Sequence, residues 1–478
     1  MKKIEINPHL FRSLDIRGAE AEFVKAQNIE PGSAKEKSAH GSILSPEIAK
    51  VIGRAIAVSQ KPKRVVVGHD ARRTSPALSK ALIDGLLEQG VDVDFIGLVT
   101  TDKLYFAIGH YKYDIGVMNT GSHTIKELNG FKISKYKEGK VMPVAKGSGM
   151  EQLKEVALEQ NFPEVEDKGK LKKIDISEDF EQYILSHFDY QSFNEQRVIC
   201  DGGNGSAGSA FEGIIDKLPI KATKLYFEPN GEFPNHEPDP MVPENLEELV
   251  DRLKNGEGDF GVAWDGDADR ISFITPDGEI LTGGFITAML LPWVFKKHPH
   301  STVICTPPMS WACREIALEH NAKVELAEVG NSFVKNAMEK FQAPFAGEEA
   351  DHFMFNESFN AESGILPLMI ILERLTKSGQ SFVELLEEAK RGYFVTGDVN
   401  IEVQDYEKLL KALNTYYQSN GFSSKLSLGD LQVVLPDYHY NIHPSHNDPV
   451  VRLNLEAKSK ELLEKGVEDV KKLIKELS

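Results

Sequence analysis

Short apolar strands alternate with amphipathic helices along most of the chain. In "SPEIAKVIGRAIAVSQ", Ser45 can cap a helix that begins at Pro46. The apolar residues that fall on one face of this helix are Ile48, Val51, Ile52, Ala55 and Ile56. "RVVVGHD" then reads as a buried strand, "TSPALSKALIDGLLEQG" as a second capped helix that ends at Gly90, and "VDVDFIGL" as an alternating strand. This alternation predicts α/β layers around a largely parallel sheet.

The strand–loop–helix arrangement recurs. "RVVVGHD", "RVICDGGNG" and "TVICTPP" are each a β-branched strand that runs into a polar or Gly/Pro-rich loop and then a helical pattern. This recurrence indicates three related α/β units, although any parallel α/β protein contains strands of this kind.

Changes of composition predict four domains, at residues 1–149, 150–254, 255–372 and 373–478. The last part is different in character, with strands near Val399–Val403, Gln432–Leu435 and Val450–Leu455 followed by a Lys/Glu-rich helix from Glu456. This last part therefore has the character of an α+β domain.

Composition narrows the class of function. The chain has 478 residues, 41% of them hydrophobic, and a formal net charge of -18. Nucleic acid and anionic membranes require a basic protein face, so neither is an expected partner. The three cysteines lack metal-ligand spacing, and neither a signal core nor a long apolar run is present. These features predict a soluble, cytoplasmic protein.

The segment "FGVAWDGDADRISFITPDGEI" carries three carboxylates at alternate positions directly after an apolar strand. Asp265, Asp267 and Asp269 would repel one another unless a cation neutralised them. Their oxygen ligands suit a hard divalent ion, Mg²⁺ above all. An EF-hand is excluded, because Arg270 occupies the glycine position and Pro276 the position of the bidentate glutamate. A solvated acidic turn is the remaining alternative.

A second segment, "GVMNTGSHTIKELNGFKI", places Ser122 beside a glycine at the end of an apolar strand. Such a serine is exposed enough to act as a nucleophile, but the same pattern occurs in ordinary turns.

With these segments in view, the chain resembles the α-D-phosphohexomutases, the family of phosphomannomutases and phosphoglucomutases. The resemblance runs in order through "FRSLDIRG", "VVVGHDARRTSP", "NTGSHTIKELNGFK", "DGGNGSAG", "NGEFPNHEPDPMVPENL", "WDGDADR", "GEEADH" and "HPSHNDPVVRLNLEA". It implies three similar mixed α/β domains and a smaller α+β C-terminal domain around a central cleft. It also implies an enzyme that interconverts hexose 1-phosphate and hexose 6-phosphate, with mannose or glucose as the sugar.

The resemblance also implies roles for single residues. Ser122 would carry a phosphoryl group, and Mg²⁺ would be held by that group and the three aspartates. A hexose 1,6-bisphosphate would be the intermediate and the activator. His123 and Lys132 would be candidates for proton transfer, with a loop-fixing hydrogen bond and a phosphate counter-charge as their respective alternatives. Arg270 could contact the transferring phosphoryl group or simply pair with the carboxylates.

The substrate-contacting residues follow from the same resemblance. They are Arg12, Arg17, Glu348, His352, His443, Ser445, His446, Asn447 and Arg452. Arg17 could instead be a structural partner of Asp15. The substrate would be a small sugar phosphate, and the protein a monomer or homodimer.

Three loops depart from the family pattern. The serine loop has Gly121 where the family usually has alanine, and Thr124-Ile125 where it has Asn-Pro, which reduces the rigidity of the backbone. The sugar loop "GEEADH" keeps Glu348 and His352 but adds two acids. The phosphate loop begins with His443 instead of arginine, so its charge depends on pH. A weakened homologue that only binds a sugar phosphate, and a sugar-phosphate phosphatase, are therefore the alternative functions.

Overall fold

The computed structural model describes residues 3–27, 37–307, 309, 311–397, 399–403, 405–427, 429–444 and 450–477. The chain divides into two compact units. The first unit contains Met1–Ile280 and His352–Gly379, and the second contains Leu281–Asp351 and Gln380–Ser478. Within the described ranges, none of the helices has both the length and the apolar character needed to cross a bilayer.

The first sheet has seven strands among the described residues, in the order β1-β5-β4-β2-β3-β7, with β6 paired to β5. Its strands are β1 (Ile16–Ala19), β2 (Arg64–His69), β3 (Asp92–Leu98), β4 (Ile115–Asn119), β5 (Leu128–Lys137), β6 (Lys140–Pro143) and β7 (Leu171–Lys173). β2, β3, β4 and β7 are parallel, whereas β1, β5 and β6 pair in antiparallel fashion.

The helices in this part of the chain are α1 (Ala21–Ala26), α2 (Pro46–Gln60), α3 (Ser75–Glu88), α4 (Thr101–Tyr111), α5 (Met150–Glu159) and α6 (Ser177–Ser186). The predicted start of α2 is confirmed, because the Ser45 hydroxyl accepts the Ile48 amide and Pro46 is the first helical residue. All five apolar residues predicted for one face of α2 are buried in the core that this helix shares with the sheet. The apolar stripe therefore orients α2 as expected.

The second sheet has the order β11-β10-β8-β9. Its strands are β8 (Arg197–Asp201), β9 (Lys221–Leu225), β10 (Phe260–Trp264) and β11 (Ile271–Ile274), and its helices are α7 (Ala207–Ile215) and α8 (Glu247–Lys254). The predicted domain limit between residues 254 and 255 falls inside this sheet, because β10 pairs with β8. The predicted limit between residues 149 and 150 likewise leaves β7 beyond it, although β7 pairs with β3.

In the second unit, three parallel strands have the order β13-β12-β14. They are β12 (Thr302–Cys305), β13 (Lys323–Leu326) and β14 (Phe345–Gly347), and the accompanying helices are α9 (Gly283–Lys297), α10 (Trp311–Glu319) and α11 (Asn331–Phe341). The hairpin of β15 (Phe353–Phe355) and β16 (Ala361–Glu362) and the helix α12 (Leu366–Ser378) belong to the first unit, and α13 (Phe382–Lys390) belongs to the second. The predicted limit between residues 372 and 373 falls inside α12.

The C-terminal region forms an antiparallel sheet in the order β17-β22-β21-β20-β19, with β18 also paired to β22. Its elements are β17 (Phe394–Val395), β18 (Val399–Glu402), α14 (Tyr406–Ser419), β19 (Ser423–Ser427), β20 (Asp430–Val434), β21 (Tyr438–Pro444), β22 (Val450–Ala457) and α15 (Lys460–Leu477). The three predicted strands and the final helix are present. The helix starts later than predicted, because β22 extends through Glu456.

One strand order occurs three times. The strands β2, β8 and β12 start at the first residues of "RVVVGHD", "RVICDGGNG" and "TVICTPP", respectively. Each of these strands lies between two parallel neighbours. The next strand along the chain lies on one side and the third on the other, as β4-β2-β3, β10-β8-β9 and β14-β12-β13. The prediction of three similar α/β domains and a different C-terminal domain is therefore confirmed.

Candidate active site

The loops singled out in the sequence follow the same strand of each repeat. The serine loop (residues 120–127) follows β4, the acidic loop (residues 265–270) follows β10, and the sugar loop (residues 347–352) begins at the last residue of β14. Each is therefore at the carboxyl end of the third strand of its repeat, where parallel α/β sheets form their binding sites. The serine loop and the acidic loop both belong to the first unit.

Ser122 contacts the acidic loop directly. Its hydroxyl donates to Asp265 Oδ2 at 2.9 Å, although 143 positions separate the two residues. The side chain is only 2% exposed, so the exposure predicted for this serine from its neighbouring glycine is wrong. The hydroxyl and the carboxylates thus converge on one polar site inside the first unit.

The three aspartates of the acidic loop form a cluster that can hold a metal ion. One carboxylate oxygen from each of Asp265, Asp267 and Asp269 lies within 4.8 Å of the others, and all three side chains are buried. Asp267 Oδ1 is buried without a hydrogen-bond partner in the described part of the chain. Because a buried, unpaired carboxylate oxygen is costly and hard cations prefer oxygen ligands, this donor set suits a divalent cation.

Lys132 on β5 provides the positive charge inside this cluster. Its ammonium group donates to Asp267 Oδ2 at 2.7 Å and to Asp269 Oδ2 at 2.5 Å. Burial alone would lower the pKa of Lys132, but the two aspartates outweigh burial and raise it. Lys132 is therefore a charge partner of the carboxylates in this arrangement and keeps its proton.

The three carboxylates differ in their tendency to ionise. Burial and the charges of Asp267 and Asp269 raise the pKa of Asp265 well above its ordinary value. Burial acts in the same direction on Asp269, but Lys132 and His352 hold its pKa well below the ordinary range. The neighbouring cationic side chains thus do not fully neutralise the negative charge of the cluster, which favours binding of an added cation.

His123 lies beside the hydroxyl, with Nδ1 3.3 Å from Ser122 Oγ. Its pKa is lowered well below the ordinary value, first by the charge of Arg270, then by burial, and then by Arg17, His352 and Lys132. A neutral imidazole in this position can accept a proton.

The arginines predicted to face the site are placed differently from one another. Arg17 Nε donates to Asp15 at 2.6 Å, which agrees with the alternative prediction that Arg17 is a structural partner of Asp15. Its Nη1 also donates to the Thr120 carbonyl at 3.3 Å. Arg17 therefore supports the serine loop. Arg12 donates instead to the Lys37 carbonyl in an exposed position.

Arg270 and His352 meet at the other side of the acidic loop. Arg270 Nε donates to His352 Nε2 at 3.1 Å, and the two residues also form a backbone bridge. His352 Nε2 lies 3.5 Å from Asp269 Oδ1. The histidine assigned to the sugar by resemblance thus also contacts the acidic loop.

Sequence reasoning missed residues that support the two loops. Thr101 at the start of α4 donates from Oγ1 to Asp267 Oδ2 at 2.5 Å and from its amide to the Asp267 carbonyl at 2.9 Å. The amide of Ser206, in the glycine-rich "DGGNGSAG" segment, donates to the Gly266 carbonyl at 3.0 Å. Arg72 contacts the serine loop. Their positions in the sequence could have identified Arg72 and Thr101, since these residues follow β2 and β3, at the carboxyl ends of parallel strands.

Two of the acidic side chains in the sugar loop accept hydrogen bonds from backbone amides of the second unit. Glu348 is 3% exposed, and its carboxylate accepts the Gly330 amide at 3.2 Å, just before α11. Glu349 Oε2 accepts the Gly284 amide at 2.9 Å, in the first turn of α9. Acidic side chains stabilise helix N-termini, so the charge of Glu349 complements the α9 dipole.

Two predicted phosphate ligands are neighbours in the C-terminal sheet. His443 on β21 is directly opposite Arg452 on β22 in the antiparallel register. His443 Nδ1 lies 3.2 Å from Asn441 Oδ1. Ser445, His446 and Asn447, also predicted to bind phosphate, lie outside the described residues.

Comparison with known families matches most of the chain to three consecutive domains. Residues 32–153, 178–278 and 282–393 match the phosphoglucomutase/phosphomannomutase alpha/beta/alpha domains I, II and III, respectively. The order of these domains agrees with the threefold repeat of strands.

Whole proteins and solved structures lead to the same family. A phosphomannomutase of Vibrio cholerae is 29% identical over 449 residues, covering 91% of this chain and 96% of the relative. A protein of Xanthomonas campestris described as phosphohexose mutases is 29% identical over 434 residues, covering 90% and 96%. A crystal structure of a phosphoglucomutase/phosphomannomutase family protein from Burkholderia thailandensis is 26% identical, with a TM-score of 0.83 and coverage of 99% of this chain and 98% of that one. The chain therefore belongs to the phosphoglucomutase/phosphomannomutase family and is an isomerase of the phosphotransferase type.

Proposed function

We propose that this protein interconverts hexose 1-phosphate and hexose 6-phosphate through a phosphorylated Ser122 and a bisphosphorylated sugar. One observation carries the proposal: the Ser122 hydroxyl lies 2.9 Å from Asp265, a member of the buried carboxylate cluster. A serine in an ordinary turn has no reason to face three carboxylates. A serine that accepts a phosphoryl group needs a cation beside it, and this cluster can hold one.

The proposed metal is Mg²⁺, held by Asp265, Asp267 and Asp269 and by the phosphoryl group on Ser122. The donor set is entirely of hard oxygens, and Asp267 Oδ1 is buried without a protein partner among the described residues. When bound, Mg²⁺ would neutralise the charge of the phosphoryl oxygens and so assist transfer.

The chain's own residues divide the remaining tasks. Transfer breaks the bond between Ser122 Oγ and phosphorus and forms a bond from phosphorus to a sugar hydroxyl oxygen, so the sugar hydroxyl loses one proton and Ser122 Oγ gains one. We assign His123 as the group that passes this proton from the sugar hydroxyl to Oγ, because its neutral ring lies beside Oγ. Lys132 retains its proton through Asp267 and Asp269 and supplies charge. In the return step, a phosphoryl group of the bisphosphate is transferred back to Ser122.

Substrate contacts are proposed from the family resemblance and the retained side chains. Glu348 and His352 would hold sugar hydroxyls, and His443 and Arg452 would hold the phosphate that does not react. A hexose 1,6-bisphosphate would load Ser122 at the start of catalysis. The phosphomannomutases among the relatives favour mannose phosphate as the first substrate to test.

A coupled assay with mannose and glucose 1-phosphates tests this function, with Mg²⁺ and the matching 1,6-bisphosphate present. We expect hexose 6-phosphate to form with the wild type and with the exposed control Ser186→Ala, but not with Ser122→Ala. Release of inorganic phosphate without isomerisation would identify a phosphatase instead. Tight binding of the sugar phosphate with neither product would identify a binding protein and overturn the proposal.

A further inference from the structure

The backbone of the proposed nucleophile is held in an unusual conformation. Ser122 has a φ of +53°, in the left-handed region that residues other than glycine rarely adopt. Its amide donates to Thr120 Oγ1 at 2.7 Å. Such a conformation persists only where surrounding contacts enforce it. The loop also lacks the proline that would restrict its backbone, so other residues must provide this restraint.

Arg72 provides three hydrogen bonds to the backbone of this loop. Its Nη2 donates to the carbonyls of Ser122 at 2.8 Å and Thr124 at 2.6 Å, and its Nη1 donates to the carbonyl of Ile125 at 2.6 Å. The whole side chain is buried, with 1% exposed. A planar guanidinium can reach several carbonyls in a fixed geometry, which no other cationic side chain can do. The loop is thus wrapped around one buried arginine.

Asp70 fixes both the arginine and the start of the loop. Its Oδ2 accepts the Gly121 amide at 3.0 Å and lies 3.2 Å from Arg72 Nε. A Cβ at position 121 would lie 2.2 Å from Arg72 Nε and 2.6 Å from the Leu128 carbonyl oxygen. The guanidinium therefore occupies the space that the absent side chain of Gly121 leaves.

The "NGEFPNH" segment, which the proposed chemistry does not use, covers the arginine. The Phe233 ring packs against the Arg72 guanidinium, 5.2 Å from its carbon to the ring centroid. Gly231 brings the segment close, because a Cβ there would lie 2.4 Å from the Arg73 amide and 2.5 Å from the Ala71 carbonyl oxygen. Phe233 itself has a φ of +46°. A second strained residue thus closes the space around Arg72.

We propose that Arg72, covered by Phe233, is a positioning residue that holds Ser122 in its left-handed conformation and directs Oγ toward the carboxylate cluster. This inference rests on the proposed function of Ser122 as the phosphoryl acceptor. Arg72 acts on the reaction through the loop backbone and does not contact the transferred group. Its loss should therefore slow transfer more than it weakens substrate binding.

The variants Arg72→Lys, Arg72→Met and Phe233→Leu test this role, with Arg73→Met as the matched control. Arg73 is the adjacent arginine, but its side chain is 52% exposed and pairs only with Glu20 and Glu232 among described residues. We expect kcat to fall about 100-fold in Arg72→Met, since displacement of a nucleophile by about 1 Å can cost that much. Arg72→Lys should retain more activity, KM should stay within about twofold, and Arg73→Met should match the wild type.

Hydrogen exchange gives a readout that does not depend on turnover. Amides of residues 119–126 should exchange faster in Arg72→Met than in the wild type, while peptides from residues 400–477 should be unchanged. Wild-type kcat in Arg72→Met, or unchanged exchange in residues 119–126, would overturn the positioning role. If the wild type neither isomerises hexose phosphates nor accepts a phosphoryl group, the proposed function fails, and the exchange comparison still decides whether Arg72 holds the loop.

Discussion

At the scale of single residues, the buried aspartates lower the stability of the folded protein, although the same carboxylates are suited to bind a cation. Asp265, Asp267 and Asp269 are buried together, with Lys132 as the cation between two of them. Burial of like charges is unfavourable, so the cluster lowers the stability of the folded protein unless a cation neutralises it. A protein that needed only stability would have neutral residues here.

Asp265→Asn tests this conflict. Removal of one charge should weaken Mg²⁺ binding at least tenfold, as measured by isothermal titration calorimetry, because one ligand and one negative charge are lost. The same variant should have a higher melting temperature than the wild type in EDTA, since the repulsion that raises the pKa of Asp265 is gone. Asp277→Asn, in the exposed turn that follows β11, is the control. Unchanged Mg²⁺ affinity would contradict the assignment of Asp265 as a ligand.

His443→Arg tests the altered phosphate loop. A histidine contributes charge only when protonated, whereas an arginine is always charged and can bind phosphate through two donors. We expect glucose 6-phosphate to bind the variant about tenfold to 100-fold more tightly at pH 8, which corresponds to about 1.5–3 kcal/mol. Wild-type affinity should fall as the pH rises from 6 to 8.5, and that of the variant should not. A flat wild-type curve would exclude His443 as a phosphate ligand.

At the level of elements, the N-terminus of α4 contacts both the acidic loop and the segment that leads into α12. Thr101 contacts the acidic loop through Asp267, and the next residue, Asp102, accepts the Ser363 hydroxyl at 2.7 Å, beside the start of α12. Asp102 is fully buried. Burial raises its pKa to about 7, and hydrogen bonds from Ser363 and the amides of Ile365 and Gly364 only partly oppose this effect.

This raised pKa predicts a pH-dependent stability. Between pH 4 and 7 the folded protein binds a proton at Asp102 that the unfolded chain has released, so the contribution of Asp102 to stability falls as the pH rises through this range. The shift from 3.8 to about 7 corresponds to at most about 4 kcal/mol. Asp102→Asn should therefore exceed the wild type in melting temperature by an amount that grows from pH 4.5 to 7.5. A constant difference across this range would contradict the shift.

Features that depend on neighbouring residues could be predicted from the sequence, whereas contacts between distant residues could not. The helix α2 follows from its own cap and apolar stripe, and the acidic loop from three aspartates after a strand. The contact of Ser122 with Asp265 could be inferred only from the family resemblance, because the residues between them show no pattern that specifies it. Arg72 could not be distinguished from Arg73 by sequence, since burial of one and exposure of the other depend on the distant Phe233.

For the whole molecule, repetition of one strand order explains where the three candidate loops lie. The serine, acidic and sugar loops follow the third strands β4, β10 and β14 of three similar sheets. Sequence patterns indicated the repeat through β2, β8 and β12. The limit predicted at residue 254 separates β10 from β8, because parallel pairing joins Phe260 of β10 to Val198 of β8, 62 positions earlier, and leaves no local mark on the sequence.

Residues 352–379 illustrate the same difficulty, since they belong to the first unit although both flanking segments belong to the second. Phe359 attaches this segment: its ring stacks on Tyr183 at 5.6 Å, and its carbonyl accepts the Val141 amide at 2.8 Å. Phe359→Ala should therefore increase hydrogen exchange in residues 101–111 and 352–365, because the lost ring stacks on Tyr183 and packs against Gly109 of α4. Peptides from residues 400–477 should be unaffected. Faster exchange across the entire chain, or none in these two regions, would contradict this attachment.

The central claim is that Ser122 carries the phosphoryl group beside the carboxylate cluster. Mass spectrometry of the peptide containing residues 113–126 tests it most directly, after incubation with hexose 1,6-bisphosphate and Mg²⁺. We expect one phosphoryl group on Ser122, its removal when hexose 6-phosphate is added in excess, and no labelling in Asp265→Asn or without Mg²⁺. Turnover of hexose phosphate by a protein whose Ser122 is never phosphorylated would contradict the account.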